Sequence, residues 1–293
     1  LTVGQRSANL STATQNGAMP KRAIVGKSGV TPCKHDLLNK LLGREVGSLR
    51  ANRLGIADYL IVDLTAGDGI PYTGKTFWKG CSPGIILHHT KYVYSQTKVD
   101  CSVLMLEKQH ETWLELLANI QNHYGQNEEV MINALCADSK TYDFHDLSNA
   151  NAAFIYNDPN HIEDWCLTPR ILSSAPKFTT SLSTLGCNVG GMKRLDLDKR
   201  ELWFDRINMV TSSIVQPWHD ACLLSVGGAD QWAYLLTAPT KWRDQITSDC
   251  LAAASKMEGR EADPQIAWFK QDPTAFLSLQ KYLFLTKAEN AQQ

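Results

Sequence analysis

The stretch DYLIVDLTAGDG, residues 58–69, decides how the rest of the chain is read. An apolar run from Tyr59 to Val62 ends in Asp63 and then in small residues. That is the pattern of a buried strand opening onto a tight loop. Small residues after a strand let the backbone approach a ligand closely. The loop is neither the GxGxxG dinucleotide fingerprint nor a phosphate loop of GxxxxGK[ST] form. Taken alone, Ala-Gly-x-Gly is a turn found in many α/β chains.

Upstream, TPCKHDLLNKLLGREVGSLRANRLG has apolar residues at 37, 38, 41, 42, 46 and 49. This spacing predicts a helix that starts near Thr31-Pro32. Downstream, residues 70–84 are rich in Gly, Pro and Lys and read as an insertion, and 83–98 as a helix. CSVLMLEK (101–108) is a second strand, 109–125 an amphipathic helix stopping at Gly125, and EVMINALCADS (129–139) a third strand. NAAFIYNDPN is the fourth and KFTTSLSTLG (177–186) the fifth, with a long helix over 198–216. Residues 219–239 read as two strands around Gly227-Gly228, a hairpin signal. The tail beyond Pro239 reads as mostly helical and polar, broken by Pro264 and Pro273. Strands alternating with helices predict an α/β fold with a mostly parallel, doubly wound sheet, to which the hairpin adds an antiparallel edge strand. Trp203, Phe204 and Ile207 are expected in its core.

The chain has 293 residues, 43% of them hydrophobic and 20% charged, ordinary for a globular protein with a sizeable core. No apolar window reaches membrane-spanning length, so no membrane partner is expected. Residues 1–30 are polar, without a signal-peptide core, and read as a flexible arm before a single domain over 31–293. Eight cysteines are scattered without a CxxC pair, which points to reduced thiols in a cytoplasmic protein and to no metal site. His88-His89 reads as helix surface. Residues 1–56 hold nine Lys and Arg against Asp36 and Glu45, on a chain of net charge −1. Such a segment can meet a polyanion or be a solvated helix face and tail, and charge alone does not separate the two.

In a parallel sheet, ligands bind beyond the carboxyl ends of the strands. The first four predicted strands end there in acids: Asp63 with Asp68, Glu107, Asp138 and Asp158. Glu107 can accept hydrogen bonds from both hydroxyls of a ribose, and Asp138 from an exocyclic amine of a base. Each acid has a plain rival role. Asp158 can cap the segment that begins at Pro159, Asn157 can serve the turn backbone, and Ser82 can cap the helix after it. His35 and His161 can be packed or solvated histidines. Lys193 and Arg194, in CNVGGMKRL (187–195), can hold a phosphate or sit on a surface loop.

The order of these strand ends resembles class I S-adenosylmethionine-dependent methyltransferases. In that family the first loop holds the methionine end, the second-strand acid the ribose, and the third-strand Asp faces the adenine. The fourth strand carries Asp/Asn/Ser-Pro-Pro-aromatic in amino-methylating members, and Asp158-Pro159 matches its first two positions. A closer resemblance runs over residues 33–161, to the ribosomal RNA adenine-N6 methyltransferases called RlmJ and the related three-Cys-motif partner proteins. It rests on CKHDLLNKLL, VDLTAGDG, GCSPGIIL, LEKQ, CADS and NDPN. Thr65 departs from the RlmJ pattern, which has His there, and Asn160-His161 replace Pro-Tyr.

The resemblance implies a Rossmann-like fold with a mostly parallel seven-stranded sheet, a helical cover at its N-terminal side and a helical tail. It implies S-adenosylmethionine as cofactor, held by His35, Asp63, Thr65, Gly67, Gly69, Ser82, Glu107, Asp138 and Asp158. Methyl transfer to an exocyclic amine, adenine N6 in DNA or RNA, would centre on Asp158, Pro159 and Asn157. Asn160, His161, Lys193 and Arg194 would meet the nucleic acid. The alternatives are methylation of a small-molecule or protein amine, and an inactive binding protein that keeps the fold.

Overall fold

A computed structural model describes residues 31–51, 55–72, 74–124, 130–159, 165–188, 197–226, 232–254 and 264–284. Within them the fold is α/β, built on one mixed sheet of eight strands in the order β3-β2-β1-β4-β5-β7-β6-β8. The strands are β1 (Asp58–Asp63), β2 (Asp100–Glu107), β3 (Met131–Cys136), β4 (Ala152–Asn157), β5 (Phe178–Asn188), β6 (His219–Val226), β7 (Trp232–Pro239) and β8 (Gln265–Trp268). The helices are α1 (Thr31–Ala51), α2 (Phe77–Gly80), α3 (Ser82–Gln96), α4 (His110–Tyr124), α5 (Pro169–Ser174), α6 (Leu197–Ser213), α7 (Arg243–Ala254) and α8 (Pro273–Phe284).

β1 to β5 are mutually parallel, so their carboxyl ends form one rim of the sheet, the upper rim. β7 runs antiparallel between β5 and β6, and β8 runs antiparallel on the outer side of β6. The expected hairpin strands therefore pair as predicted, while Gly227-Gly228 lies outside the described residues. The expected count of seven strands is corrected to eight, because the tail is not all helix. Gln-Ile-Ala-Trp over 265–268 pairs with Cys222 to Ser225 of β6. Four residues between breakers carry too little periodicity to signal a strand; the pairing with β6 supplies what the local pattern does not.

Alternate side chains of each strand enter two cores. One holds Tyr59, Ile61, Phe154 and Tyr156 with Leu38, Leu41 and Leu42 of α1, Ile85 and Ile86 of α3, and Ile246 of α7. The other holds Leu60, Val62, Ala153 and Ile155 with Trp203 and Ile207 of α6 and Phe276 and Leu279 of α8. Trp203 and Ile207 are core as expected, while Phe204 is half-buried. Burying each such side chain contributes about 1.5–3 kcal/mol before entropy is counted.

α1 lies along the first face and is fixed to it at several points. Glu45 is buried at its lower part and accepts from the Tyr59 hydroxyl at 2.7 Å. Burial raises the Glu45 pKa, opposed by the Arg44 charge and by the Thr180 and Tyr59 hydroxyls. Arg44 pairs with Asp249 of α7 at 2.9 Å. His89 of α3 is buried and bonded to Asn39 at 2.8 Å, which corrects its reading as helix surface, whereas His88 is exposed. Burial, aided by His88, lowers the His89 pKa to about 4, so the ring is neutral at neutral pH.

Among the described residues no helix is long and apolar enough to cross a membrane.

Candidate functional site

The upper rim begins at Asp63, the last residue of β1, whose side chain is fully buried. Its Oδ1 accepts the Thr65 backbone N–H at 3.1 Å, and Oδ2 is buried without a hydrogen-bond partner of ordinary geometry. Burial pushes the Asp63 pKa up to about 7, and the Asp158 and Glu107 charges add to the rise. The Ser82 hydroxyl and the Thr65 N–H oppose it. The loop then turns through Gly67 (φ +66°) and Gly69 (φ +69°), in the left-handed region that glycine enters without strain. A Cβ at Gly67 would meet nothing within 4 Å, so open space faces the loop there.

The neighbouring strand ends are tied to this loop. Glu107, half-buried at the end of β2, accepts the Gly67 N–H at 3.2 Å and the Gln109 N–H at 2.8 Å. Asp138, half-buried beyond β3, accepts the Lys140 N–H at 2.9 Å and so shapes its own turn. The adjacent Ser139 hydroxyl donates to the Leu64 carbonyl. At the end of β4 the Asp158 N–H donates to Thr65 Oγ1 at 2.8 Å. Thr65 therefore joins the first and fourth loops, a role that its side-chain hydroxyl suits.

The insertion over residues 70–84 is locked beneath the loop by close backbone approach. Cys81 Sγ lies 3.3 Å from the Gly69 carbonyl oxygen. A Cβ on Gly84 would fall 1.7 Å from the Phe77 carbonyl oxygen, and one on Gly80 would fall 2.6 Å from Pro71 Cβ. Gly-Cys-Ser-Pro-Gly is thus a packing requirement as well as a helix start. It places Ser82, the first residue of α3, beside Asp63.

Asp158 is the most heavily engaged acid of the rim. Its Oδ1 lies 2.8 Å from Lys34 Nζ of α1 and accepts the Thr184 hydroxyl of β5. The Lys34 side chain is 8% exposed and that of Asp158 24%. Pro159 beside it is buried. Tyr156, one strand position pair earlier on the same face, has its phenol pKa pushed up by burial and then by the Asp158 and Asp63 charges. His35, half-buried, follows Lys34 on α1.

The structure thus gathers Asp63, Thr65, Gly67, Gly69, Ser82, Glu107, Asp158 and Pro159 at one rim, with Asp138 one strand further out. Asn157 is not brought to it. Its side chain is fully buried on the opposite face and donates to Ser183 Oγ at 2.8 Å. Strict alternation along β4 is the reason. Asn160, His161, Lys193 and Arg194 lie outside the described residues. Among the described residues no cluster of His, Cys, Asp and Glu could hold a metal ion.

Sequence reading missed Lys34 and Thr184. Lys34 precedes Leu37 and Leu38 by three and four residues on the apolar stripe of α1, so a charge at a core position was there to be noticed. Thr184 carried no such signal, standing among other small polar residues of β5.

No protein-family model and no curated protein sequence matches the chain. Solved structures do show a likeness in chain path. A Legionella pneumophila protein described under the family DUF519 is 11% identical, covering 83% of this chain and 97% of that one, at a TM-score of 0.49. An O-methyltransferase from Bacillus cereus, in complex with SAH, is 15% identical, covering 74% and 84%, at 0.39. An rRNA methylase from Streptococcus thermophilus is 11% identical, covering 70% and 93%, at 0.38.

Proposed function

We propose that this protein is an S-adenosylmethionine-dependent methyltransferase acting on an exocyclic amine, with adenine N6 of DNA or RNA as the substrate. The observation that carries the reading is Asp158-Pro159 at the end of β4, bonded through Thr65 to the glycine loop after β1. Both the glycine loop and Asp158-Pro159 belong to stretches in which the sequence resembles RlmJ and the three-Cys-motif partner proteins.

The residues present fit the cofactor. Adjacent strands lie about 4.8 Å apart, so the ends of β3, β2, β1 and β4 span about 15 Å, room for an extended nucleoside with an amino-acid arm. Asp138, Glu107 and Asp63 offer carboxylate oxygens along that line, and the open space at Gly67 admits the ligand backbone. A carboxylate with two lone pairs per oxygen can bind a diol while keeping its N–H contacts. Asp63, with Oδ2 unsatisfied, suits a positive charge. Ser82 and His35 would flank the amino-acid arm.

When bound, S-adenosylmethionine supplies an electrophilic methyl group on a sulfonium. The chain's part is to present the amine. An exocyclic nitrogen of adenine is a poor nucleophile because its lone pair is delocalised into the ring. The Asp158 carboxylate and the Pro159 carbonyl accept its two N–H groups and favour a more tetrahedral nitrogen. Proline fixes φ and so holds its carbonyl in place. Lys34 and Thr184 orient the carboxylate from the side of Oδ1. Asp158 would take the proton that the amine gives up once it is methylated, so that the product nitrogen is left neutral. Alignment of this kind can contribute roughly 7–11 kcal/mol in well-placed cases. His161 would stack on the target base, a role that flat rings serve for unpaired bases.

One observation favours a second reading. Asp158 Oδ1 is occupied by Lys34 and Thr184 together, which would suit a fold retained for binding without turnover. Methyl transfer from labelled cofactor into DNA, RNA, protein and small-molecule pools separates the two. Product in the nucleic-acid pool is expected. Cofactor bound in calorimetry with no product in any pool would favour the second reading. No cofactor binding by the folded protein, with Glu107→Ala unchanged from wild type, would defeat both.

A further inference from the structure

At the opposite, lower rim, five strand-end and turn residues build a second feature. Trp218 precedes β6, Lys177 and Phe178 open β5, and Lys241 and Trp242 follow β7. Because β7 lies between β5 and β6, these positions meet. The Thr240 N–H donates to the Trp218 carbonyl at 2.7 Å, and His219 Nε2 lies 2.6 Å from the Thr179 carbonyl oxygen. Lys177 Nζ stands 4.8 Å from the Trp218 ring centre and 5.7 Å from that of Phe178. Lys241 Nζ stands 4.7 Å from Phe178 and 5.4 Å from Trp242, and the Arg44 guanidinium 5.3 Å from Trp242. Ring and cation alternate from the surface inward in the order Trp218, Lys177, Phe178, Lys241, Trp242, Arg44.

The inner end of this ladder is balanced, since Arg44 pairs with Asp249. The outer part is not. Among the described residues neither Lys177 nor Lys241 forms an ion pair. The nearby acid Asp220 is buried and committed to Arg243 at 2.6 Å and to the Ala221 and Lys270 N–H groups. Lys177, Lys241 and Trp218 are all exposed. Partial burial, and then the neighbouring Lys177 charge, lower the Lys241 pKa, so the two ammoniums crowd one another. Two cations without an ion pair among the described residues thus stand beside the exposed Trp218 ring and the half-buried Phe178 and Trp242 rings.

We infer that this ladder is a binding surface for single-stranded nucleic acid, with phosphates on Lys177 and Lys241 and an unpaired base stacked on Trp218. Unstacked bases and phosphates are the partner that satisfies both features together. An acidic protein would use the charges and leave the rings idle. From Phe178 to Thr184, which touches Asp158, β5 runs about 20 Å, so the ladder is remote from the reaction centre and contributes affinity rather than chemistry. The inference extends the nucleic-acid part of the proposed function and rests on that part alone.

Fluorescence anisotropy of the full chain with a labelled oligoadenylate RNA of about 20 nucleotides tests it. Salt-sensitive binding is expected, at least tenfold weaker in Trp218→Ala and in the Lys177→Ala/Lys241→Ala double variant. The double variant should also lower the slope of log affinity against log salt by about 1.4. Cofactor calorimetry and thermal melting, unchanged in both variants, show that each remains folded. No oligonucleotide binding by the wild type, or equal binding by wild type and both variants, overturns the inference. So does polyglutamate competing as well as oligoadenylate, which would give the surface to an acidic protein. Weakened binding in the variants alongside a wild type without methyl transfer would uphold the ladder and sink the enzymatic reading.

Discussion

Where β1, β2 and β4 end, the sheet collects carboxylates that are bonded into one another's loops; where β5 and β6 begin, it collects rings and ammoniums that bond to little else. The upper rim is tightly determined. Asp63, Glu107 and Asp158 are each held by backbone N–H groups or side chains within a few residues of a strand end. The lower rim is looser, with Lys177 poised over the exposed Trp218 ring and Lys241 over the half-buried Phe178 ring. Under the two proposals, the contrast is one between a site that would position small groups and a surface that would accept a long, variable partner. Positioning needs locked rotamers, whereas stacking tolerates slack because every base has a π face.

Substitutions can break this contrast or sharpen it, and Asp158→Ala should do most. It is expected to lower methyl transfer at least about a thousandfold while cofactor affinity stays within a few-fold, as read by labelled-methyl turnover and calorimetry. Full turnover in that variant would move the reaction away from the upper rim.

Gly84→Ala comes next. Its new Cβ would lie 1.7 Å from the Phe77 carbonyl oxygen, so α2 and α3 have to part. A stability loss of about 2–4 kcal/mol in urea unfolding is expected. A neutral result would mean that the insertion beneath the glycine loop yields easily.

Asp63 sets a smaller, pH-dependent effect. Its pKa of about 7 in the fold exceeds the ordinary 3.8, so the native state holds a proton that the unfolded chain has released. Its contribution to stability therefore declines as pH rises between those values and levels off above about 7. A cationic ligand prefers the ionised acid, so cofactor affinity should rise up to tenfold per pH unit, about 1.4 kcal/mol, until pH 7 and then flatten. Asp63→Asn should flatten both profiles. Persistence of the two slopes in that variant would assign them to another group.

The smallest effect belongs to the lower rim. Lys177→Ala is expected to change stability by less than about 0.5 kcal/mol in the same urea assay, as an exposed side chain without an ion pair should. A larger loss would mean that the ladder holds the fold together and is no free surface.

The same contrast explains what could be read from residues alone. Asp63, Glu107, Asp138 and Asp158 stand beside apolar runs that announce strands, so their place on one rim follows from alternation of strands and helices. The Lys34 contact with Asp158 joins residues 124 positions apart, and no local pattern pairs them. Asn157 parts from Asp158 for the opposite reason: neighbours in sequence are on opposite faces of a strand. The ladder draws on positions 44, 177, 218 and 241, which meet only because β7 enters between β5 and β6. β8 was invisible because four residues carry no period worth counting.

The fastening of α1 has a consequence for traffic into the site. Lys34 holds its upper part to Asp158, Asn39 its middle to His89, and Glu45 and Arg44 its lower part to Tyr59 and Asp249. Swinging this helix outward would strand a buried glutamate and an ion pair, at a cost of several kcal/mol. The helix is thus a fixed wall beside Asp158, and under the proposed function cofactor and substrate would have to come and go past other segments.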